Sequence, residues 1–399
     1  MTFVNNVIKK VKKKLKSIVI KGYQLACRLL PIKKDIILFE SNLGRNYTGN
    51  PRSIYEEMVR QGLDKKYRCY FILENPATPL PGTAKAVKRT RLFYFYLFAI
   101  AGIWVCDTRL PKYIIKRPGC TYIQTWHGTP LKKLALDMET VFMAGEKGID
   151  NYKKNFYDNA QTWDYLISQN RFSSEIFRRA FAFGKEMLEI GYPRNDVLFA
   201  KNNSNDIMEL KKQLGLPLDK KIILYAPTWR DNEYYDKGKY KFNPPMDFGE
   251  LQNRLSDEYA MIVKYHYLVM DQVDWSPYKG FVYACDLRFD IADLYLVSDM
   301  MITDYSSVMF DYSLLKRPML FFCYDLEQYK DTLRGFYFDL LAEAPGPVTL
   351  TTQELITAIK DYDSAKYYDK QEAFYNKFNH ADDGKASKRV VELIQRVSE

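Results

Sequence analysis

From Asp35 onward the chain alternates short apolar runs with segments whose apolar residues recur every three or four positions. The first pattern predicts buried strands, for example at 35–40 (DIILFE), 67–73 (YRCYFIL) and 121–125. The second predicts amphipathic helices, for example at 53–60 and 173–183. Strands alternating with helices are typical of a parallel sheet covered by helices on both faces, so we predict an α/β fold.

Residues 200–220 are polar and rich in turn residues, and the strand–helix alternation restarts after them. A chain of 399 residues also exceeds the size at which one hydrophobic core usually stops growing. We therefore predict an N-terminal segment over residues 1–34, a Rossmann-like domain over 35–205, and a second over 206–399 that ends in helices. In such folds ligands bind beyond the carboxyl ends of the strands.

The first 34 residues have a pattern of their own. Apolar residues between Phe3 and Val19 fall three or four apart, lysines fill most of the remaining positions, Gly22 interrupts the pattern and Pro31 ends it. A basic amphipathic helix of this kind lies in a membrane interface. The alternatives are a solvated helix packed on its own domain and an arm that binds nucleic acid.

The charge count sharpens this interpretation. The chain has 59 Lys and Arg against 49 Asp and Glu, a net charge of +10, and residues 1–34 hold ten of the positive charges and no acid. The rest is balanced at 49 of each. A broadly basic nucleic-acid surface is therefore not indicated, and we expect residues 1–31 to contact an anionic membrane.

Together with the basic segment, the remaining composition predicts a peripheral protein on the cytoplasmic face of the cell membrane. Six cysteines without a C-x-x-C pair indicate reduced, buried thiols. The longest apolar run, Leu92 to Cys106, has 15 residues, fewer than the roughly 17–25 that a spanning helix needs. We recognise no secretory signal.

Candidate chemistry lies where predicted strands end. Of three histidines, His127 and His266 each follow a strand directly, one in each predicted domain. Helix starts, which bind anions through free N–H groups, are predicted at Thr129-Pro130, at Ser306-Ser307 and in DDGKAS before the last helix. Basic residues stand in similar loops: Arg194, Arg230, Lys264 and Arg334. Together these features indicate a substrate that carries a diphosphate. Motifs for a Walker loop, a dinucleotide-binding turn, a serine hydrolase elbow and a zinc protease are all missing.

Several segments resemble the CDP-glycerol glycerophosphotransferase family, whose enzymes build poly(glycerol phosphate) teichoic acids. They are QTWHGTPLKKL, GYPRND, ILYAPTWR, YHYL, DLYLVSD with ITDYSSVMFDY, LKRPMLFF and RGFYFD, and they run in family order from about Asp35 to the final helix. The resemblance implies two Rossmann-type domains in a GT-B arrangement. It also implies transfer of glycerol phosphate from CDP-glycerol to a lipid-linked acceptor, with release of CMP.

The resemblance further implies the site residues. We expect His127 to be the general base, with His266 as the second catalytic histidine. The substrate contacts it implies are Trp126, Gly128, Thr129, Pro130, Arg194, Pro227, Thr228, Lys264, Tyr265, Ser306, Ser307 and Asp311. We expect Arg334, one of the basic loop residues, to contact the substrate as well. We expect no cofactor and no metal; Asp304 and Asp311 fit capping roles better than a cation site. A CDP-ribitol transferase, a sugar transferase of the same fold and a membrane scaffold without activity are the rival interpretations.

Overall fold

A computed structural model of the chain describes residues 2–140, 148–228, 234–236, 239–240, 246–264, 274–284, 289–326 and 335–399. Side chains are described from Lys14 onward, except those of the two short segments within 234–240. The described chain builds two parallel sheets, one in each half, which confirms the predicted α/β class.

The first sheet has seven parallel strands in the order β3-β2-β1-β4-β5-β6-β7. They are β1 Lys33–Glu40, β2 Arg68–Leu73, β3 Lys85–Lys88, β4 Ala101–Cys106, β5 Thr121–Gln124, β6 Tyr165–Ser168 and β7 Glu186–Glu189. All six residues of β4 are buried, because the strand is central and covered on both faces. The strand order reverses between β1 and β4, and that switch point is where sheets of this type bind ligands.

The second sheet repeats this order with six parallel strands, β12-β11-β8-β13-β14-β15. They are β8 Lys221–Tyr225, β11 Tyr259–Val263, β12 Val282–Ala284, β13 Met300–Thr303, β14 Met319–Phe322 and β15 Val348–Thr349. Two short segments, β9 Tyr234–Asp236 and β10 Lys239–Tyr240, pair antiparallel outside it. Here the order reverses between β8 and β13, so this half has a switch point of its own.

The helices cover both sheets. They are α1 Thr2–Leu29, α2 Gly49–Arg60, α3 Leu92–Ile100, α4 Ile149–Ala160, α5 Arg171–Ala180, α6 Asp196–Ala200, α7 Ser204–Gln213, α8 Phe248–Leu255, α9 Ile291–Val297, α10 Val308–Tyr312, α11 Leu340–Glu343, α12 Thr352–Lys360, α13 Ser364–Phe378 and α14 Ala386–Ser398. Most follow the predicted amphipathic segments, since an apolar stripe at helical spacing must find a sheet face to cover.

Helix α1 continues through Gly22 and ends one residue before Leu30, close to the predicted end at Pro31. Its second half packs on the first domain: Tyr23 and Cys27 are buried, and the Tyr23 ring contacts Phe95 of α3 at 5.6 Å. The Tyr23 hydroxyl also accepts a hydrogen bond from the main chain of Ile115 at 3.0 Å. This half of the segment is therefore docked on its own domain.

The last helix crosses back to the first half of the chain. Val390, Val391, Leu393 and Ile394 of α14 join the buried cluster formed by β1 and α2, which includes Phe39 and Ile54. The predicted boundary at residue 205 lies between the end of β7 and the start of β8 and stays a prediction.

The helix predicted to start at Thr129-Pro130 is wrong. Residues 131–133 are extended and pair with the second half of the chain through an antiparallel bridge between Lys132 and Phe336. Lys133 N donates to Gly335 O at 2.9 Å and Tyr337 N donates to Leu131 O at 2.9 Å. The carbonyl of Leu131 and the N–H group of Lys133 thus bond across the two domains instead of within a helix.

Two further sequence predictions concern the membrane and the thiols. Within the described residues, no helix combines the length and the apolarity that crossing a bilayer requires. Cys27, Cys69, Cys106, Cys120 and Cys323 are buried as predicted, and Cys285 lies outside the described residues.

Candidate functional site

The carboxyl ends of strands from both sheets bring the predicted motifs together. In the first sheet Asp107 follows β4 and His127 comes soon after β5. In the second sheet Thr228 follows β8, Lys264 follows β11 and Ser306 follows β13. Because β11, β8 and β13 are adjacent, the second group shares one sheet edge. This is the crevice that a doubly wound fold offers to a ligand.

Gly128 and Ser307 join the two edges. A Cβ atom built on Gly128 would lie 3.0 Å from Ser307 Oγ and 3.3 Å from Ser307 Cβ. A side chain at position 128 would push against the Ser307 side chain, so glycine lets Ser307 approach the histidine loop this closely. The histidine motif of the first domain and the double-serine motif of the second therefore form one site.

His127 is held by its Nδ1 atom. Nδ1 lies 2.7 Å from the main-chain carbonyl oxygen of Asp107, which can only accept, so Nδ1 carries the proton. The ring stacks on Trp126 with a centroid distance of 4.5 Å and an interplanar angle of 26°. Nε2, with its lone pair, has no hydrogen-bond partner among the described residues. The neutral ring is thus oriented to accept a proton at Nε2.

The surroundings of His127 keep the ring neutral. Its side chain is accessible to solvent on one side, yet the surrounding protein atoms partly desolvate the ring. This burial lowers the pKa of His127, and the positive charges of Arg194 and Arg109 lower it further. The bond to the Asp107 carbonyl acts in the opposite direction and is outweighed.

The loop that carries His127 has an unusual backbone. Trp126 has a φ of 52°, in the left-handed region that bulky residues rarely adopt. Two buried amides hold this conformation. Gln124 Oε1 accepts from Trp126 N at 3.0 Å, and Asn50 Nδ2 donates to the carbonyls of Thr125 and Trp126 at 3.2 and 3.0 Å. Strained residues that the surrounding structure holds in place cluster at functional sites.

Arg194 lies behind the histidine loop. Its Nη1 donates to the carbonyl oxygen of His127 at 2.7 Å and its Nη2 pairs with Asp311 Oδ2 at 2.5 Å. The guanidinium also lies over the Tyr192 ring, 5.1 Å from its centroid. Arg194 and Asp311 are largely buried, and breaking such a pair by removing one partner typically costs about 3–5 kcal/mol. Arg194 therefore connects the histidine loop to α10 of the second domain.

Asp311 is fully engaged by protein groups. Besides Arg194, its Oδ1 accepts from Asn195 Nδ2 at 3.1 Å and from Gln169 Nε2 at 3.5 Å. Burial raises the pKa of Asp311, although Arg194 and Asn195 act against this effect. The resemblance assigns Asp311 to the diphosphate side, and its observed contacts are those of a residue that orients Arg194.

Thr129 and Pro130 are buried as well. The Thr129 hydroxyl donates to Gln169 Oε1 at 2.6 Å, and it accepts from Asn170 Nδ2 at 3.1 Å and from Ser173 Oγ at 3.2 Å. The side chain therefore links the histidine loop to the start of α5, and its predicted contact with substrate stays a prediction.

The second domain contributes a set of loops held by Asp304. Its Oδ1 accepts from Thr228 N at 2.7 Å and from Tyr305 N at 2.7 Å, which ties the loop after β8 to the loop after β13. Pro227, Thr228, Ser306 and Ser307 are each partly accessible beside this connection. Lys264 donates its main-chain N–H to Tyr225 O at 2.9 Å, and its side chain has no ion-pair partner among the described residues.

Three predicted site residues, Tyr265, His266 and Arg334, lie outside the described residues, as does Arg230. Their roles stay predictions. Within the part of the chain that is described, no group of three or more His, Cys, Asp or Glu side chains is arranged to hold a metal ion.

Sequence reasoning missed three residues that shape the site: Asp107, Asn50 and Gln169. Asp107 directly follows the buried run of β4, a position that should have flagged it. Burial, with the charge of Glu40 nearby, raises the pKa of the Asp107 carboxyl to about 7. The side-chain amides of Asn50 and Gln169 contact segments that are distant in the sequence, and no local sequence pattern predicts such contacts.

Comparison with known proteins gives a consistent result. A family model described as CDP-glycerol:poly(glycerophosphate) glycerophosphotransferase matches residues 23–396. The teichoic acid poly(glycerol phosphate) polymerase of Bacillus subtilis (strain 168) is 46% identical over 395 residues, which are 97% of this chain and 52% of that protein. The chain thus spans about half the length of that relative.

In two further comparisons the match covers nearly the whole length of both proteins. The teichoic acid poly(glycerol phosphate) polymerase of Bacillus spizizenii (strain ATCC 23059 / NRRL B-14472 / W23) is 44% identical over 390 residues, covering 96% of this chain and 99% of that protein. A solved structure of the wall teichoic acid polymerase TagF, a histidine-to-asparagine variant soaked with CDPG, is 41% identical with a TM-score of 0.90, covering 99% of this chain and 97% of that one. This similarity confirms the predicted pair of Rossmann-like domains. The chain belongs to the CDP-glycerol:poly(glycerophosphate) glycerophosphotransferase family.

Proposed function

We propose that the protein transfers glycerol phosphate from CDP-glycerol to a lipid-linked teichoic acid acceptor and releases CMP. The observation that carries this proposal is the contact between Gly128 and Ser307, which places His127 beside the strand ends of the second domain. A proton acceptor and a set of loops suited to an anionic donor therefore share one crevice. The matched family model and the names of the relatives point to the same reaction.

In the proposed step an acceptor hydroxyl oxygen attacks the phosphorus that carries glycerol. A new P–O bond forms to the acceptor, and the P–O bond to CMP breaks. His127 Nε2 takes the hydroxyl proton as the bond forms, since Nδ1 is already protonated and bonded to Asp107. The lowered pKa of His127 keeps the ring in the neutral form that this role requires.

CMP leaves as a phosphate monoester, so the leaving group needs stabilisation of its negative charge. Lys264 and the hydroxyl groups of Ser306 and Ser307 stand at the strand ends where the diphosphate would lie. We assign the same role to His266 and Arg334 from the sequence. Arg194 holds the His127 loop in place instead of binding the diphosphate, because its two Nη atoms already bond to His127 O and to Asp311.

A donor panel tests this proposal against its rivals. The purified protein is given CDP-glycerol, CDP-ribitol or a UDP-sugar, each with a lipid-linked disaccharide acceptor with or without one glycerol phosphate unit. The proposal expects release of CMP from CDP-glycerol at a rate at least about tenfold above the other donors. Faster turnover of CDP-ribitol or of the UDP-sugar would identify a different transferase, and no turnover of any donor would favour a scaffold.

We also propose that the protein binds the cytoplasmic face of the cell membrane peripherally, through α1 and the adjacent α3. Leu15, Ile18, Leu25 and Leu29 are 55–72% exposed and share one face of α1, beside the face that packs on the domain. Lys14, Lys16 and Lys21 are exposed on the same helix. An exposed apolar stripe flanked by lysines suits an anionic lipid interface better than water.

Helix α3 extends this surface. Leu92 is 73% exposed, Phe93 49% and Tyr96 41%, while the other face of the helix is buried against the sheet. Because the Tyr23 ring of α1 contacts Phe95 of α3, the two helices are neighbours. An exposed aromatic group next to an aliphatic stripe is typical of segments that lie at the depth of lipid headgroups. Such docking would bring the crevice close to a lipid-linked acceptor.

A further inference from the structure

Two motifs that are far apart in the sequence, GYPRND and DDGKAS, interlock in the structure. The first forms the turn 191–196 that carries Arg194, and the second, 382–387, ends the connection after α13 and begins α14. Helix α13 packs within the second domain and α14 packs against the first, so the DDGKAS segment lies where the chain crosses between the two. Neither motif is explained by substrate contacts alone.

Asp382 accepts hydrogen bonds from one side of the turn 191–196. Its Oδ1 accepts from Tyr192 N at 3.0 Å and from Asn195 Nδ2 at 3.3 Å. Gly191, with a φ of 78°, lies directly against this carboxylate: a Cβ atom there would be 2.7 Å from Asp382 Oδ1. A side chain at position 191 would clash with Asp382, so glycine is what allows the carboxylate to lie against the turn.

The carboxylates of Asp382 and Asp311 are joined by two shared amides. Asn195 Nδ2 donates to both, at 3.3 and 3.1 Å, and Gln169 Nε2 donates to both, at 3.0 and 3.5 Å. All four side chains are buried. Asp311 in turn pairs with Arg194, which holds the His127 carbonyl. A continuous chain of hydrogen bonds thus runs from Asp382 to the histidine loop.

Asp196 holds the other side of the turn. Its two carboxylate oxygens accept from Ala386 N at 3.0 Å and Ser387 N at 2.7 Å, the first N–H groups of α14. The helix start predicted from DDGKAS to bind an anion is therefore occupied by an aspartate of the same chain. The DDGKAS segment thus binds the turn that carries Arg194, and we expect its role to lie in that contact.

We propose that Asp382 is a positioning residue of the active site, which orients Arg194, and through it the His127 loop, by way of Asn195 and Asp311. This inference rests on the proposed function only for its assay. The protein keeps a buried carboxylate here, against the cost of burying its charge, where it receives three hydrogen bonds. Two of the three come from the turn that carries Arg194, which is the connection the proposal requires.

The test compares Asp382→Asn with Asp383→Asn in the full-length protein. Asp383 is the adjacent residue, and its exposed carboxylate pairs with Arg389 on the surface, so this variant makes the same chemical change outside the chain of bonds. We expect Asp382→Asn to lower kcat for CMP release about tenfold or more, with a change in KM for CDP-glycerol below about threefold. Asp383→Asn should match the wild type.

A double-mutant cycle separates positioning from plain stabilisation. In an Arg194→Lys background, Asp382→Asn should lower kcat by less than about twofold, because the group it orients is already changed. Should Asp382→Asn not fold, Asn195→Ala removes the shared amide and leaves the bond from Asp382 to Tyr192 N in place. The proposal expects the same loss of kcat from it.

The inference is overturned if a folded Asp382→Asn or Asn195→Ala variant keeps the wild-type kcat, or if the losses from Asp382→Asn and Arg194→Lys simply multiply. The wild-type rate with CDP-glycerol is the reference in each case. A wild type that releases no CMP contradicts the proposed function. A wild type that does, beside unchanged variants, contradicts only the role of Asp382.

Discussion

The imidazole Nδ1 of His127 lies 2.7 Å from the main-chain carbonyl oxygen of Asp107. This contact joins the loop after β5 to the end of β4 at the switch point of the first sheet. Since a carbonyl oxygen only accepts, the contact determines the tautomer and leaves Nε2 as the basic atom. The chemistry of the site thus follows from a main-chain group that any residue at position 107 would supply.

The first prediction concerns pH. Because burial and the charges of Arg194 and Arg109 lower the pKa of His127, the acid limb of kcat/KM should have its midpoint below the usual histidine value of about 6.5. Arg109→Gln removes one positive charge, so the limb should move to higher pH. The measurement is the rate of CMP release from about pH 5 to about pH 9. A limb that stays in place in Arg109→Gln would show that another group titrates.

The second prediction concerns the contact between the domains. In Gly128→Ala the new methyl group meets Ser307, so the serine or the loop must shift by a few tenths of an ångström. We expect kcat/KM to fall about tenfold or more while the free energy of unfolding drops by only about 1–3 kcal/mol. Gly184→Ala is the control, since nothing lies within 4 Å of a Cβ atom at that position and its φ is not positive.

If Gly128→Ala keeps full activity, the Gly128–Ser307 contact does not hold the site together. Gly184→Ala should behave like the wild type in both measurements, and a loss of activity there would show that the assay reports general damage.

The third prediction concerns Glu40, which is fully buried at the end of β1. Burial raises its pKa to about 7, although Arg89 acts against this effect. The folded state therefore holds the proton more tightly than the unfolded state, and stability from this group declines as pH rises from about 4.5 to about 7. Glu40→Gln should stabilise the protein relative to wild type more at about pH 8 than at about pH 5. Urea unfolding at the two pH values measures this.

Asp35→Asn is the matched control for Glu40→Gln. Hydrogen bonding to Arg68 lowers the pKa of Asp35, so this carboxylate is ionised at both pH values. Its substitution should change the free energy of unfolding equally at both. An equal effect of Glu40→Gln at both pH values would contradict the raised pKa.

The fourth prediction concerns the membrane surface. Leu15→Glu with Ile18→Glu places two carboxylates in the exposed apolar stripe of α1, and should reduce flotation with anionic vesicles about tenfold or more. Leu218→Glu is the control, because Leu218 is similarly exposed, at 52%, but lies in the connection between α7 and β8. Unchanged flotation of the double variant would place the contact with lipid elsewhere.

Much of the fold could be predicted because its central strands are long apolar runs. β4 and β11 are buried along their whole length and β1 is buried from Ile36 to Glu40, so their sequences are apolar at successive positions. The edge strands β3, β7 and β15 were missed, since each has two to four residues and includes exposed or polar positions. The false helix after Thr129 has a different cause. Thr129 and Pro130 are residue types that favour a helix start, but the Leu131 carbonyl and the N–H groups of Lys133 and Leu134 bond to residues 335–337 instead.

At the site, sequence reasoning identified the residues that follow strands and carry ionisable or hydroxyl groups, such as His127 and Ser307. It could not identify those that act across the fold. Asn50 holds the carbonyls of Thr125 and Trp126, and Asp382 holds the turn of Arg194. Such contacts depend on how two domains pack together, and no local spacing encodes that packing.

The proposed mechanism requires that His127 removes the proton from the acceptor hydroxyl as CMP leaves. Its most direct test is CMP release from CDP-glycerol by wild type and by His127→Ala, with circular dichroism and a thermal melt to show that both are folded. We expect a wild-type rate that depends on the lipid-linked acceptor, and a rate about a hundredfold or more lower in the variant. A folded His127→Ala that releases CMP at the wild-type rate would contradict it.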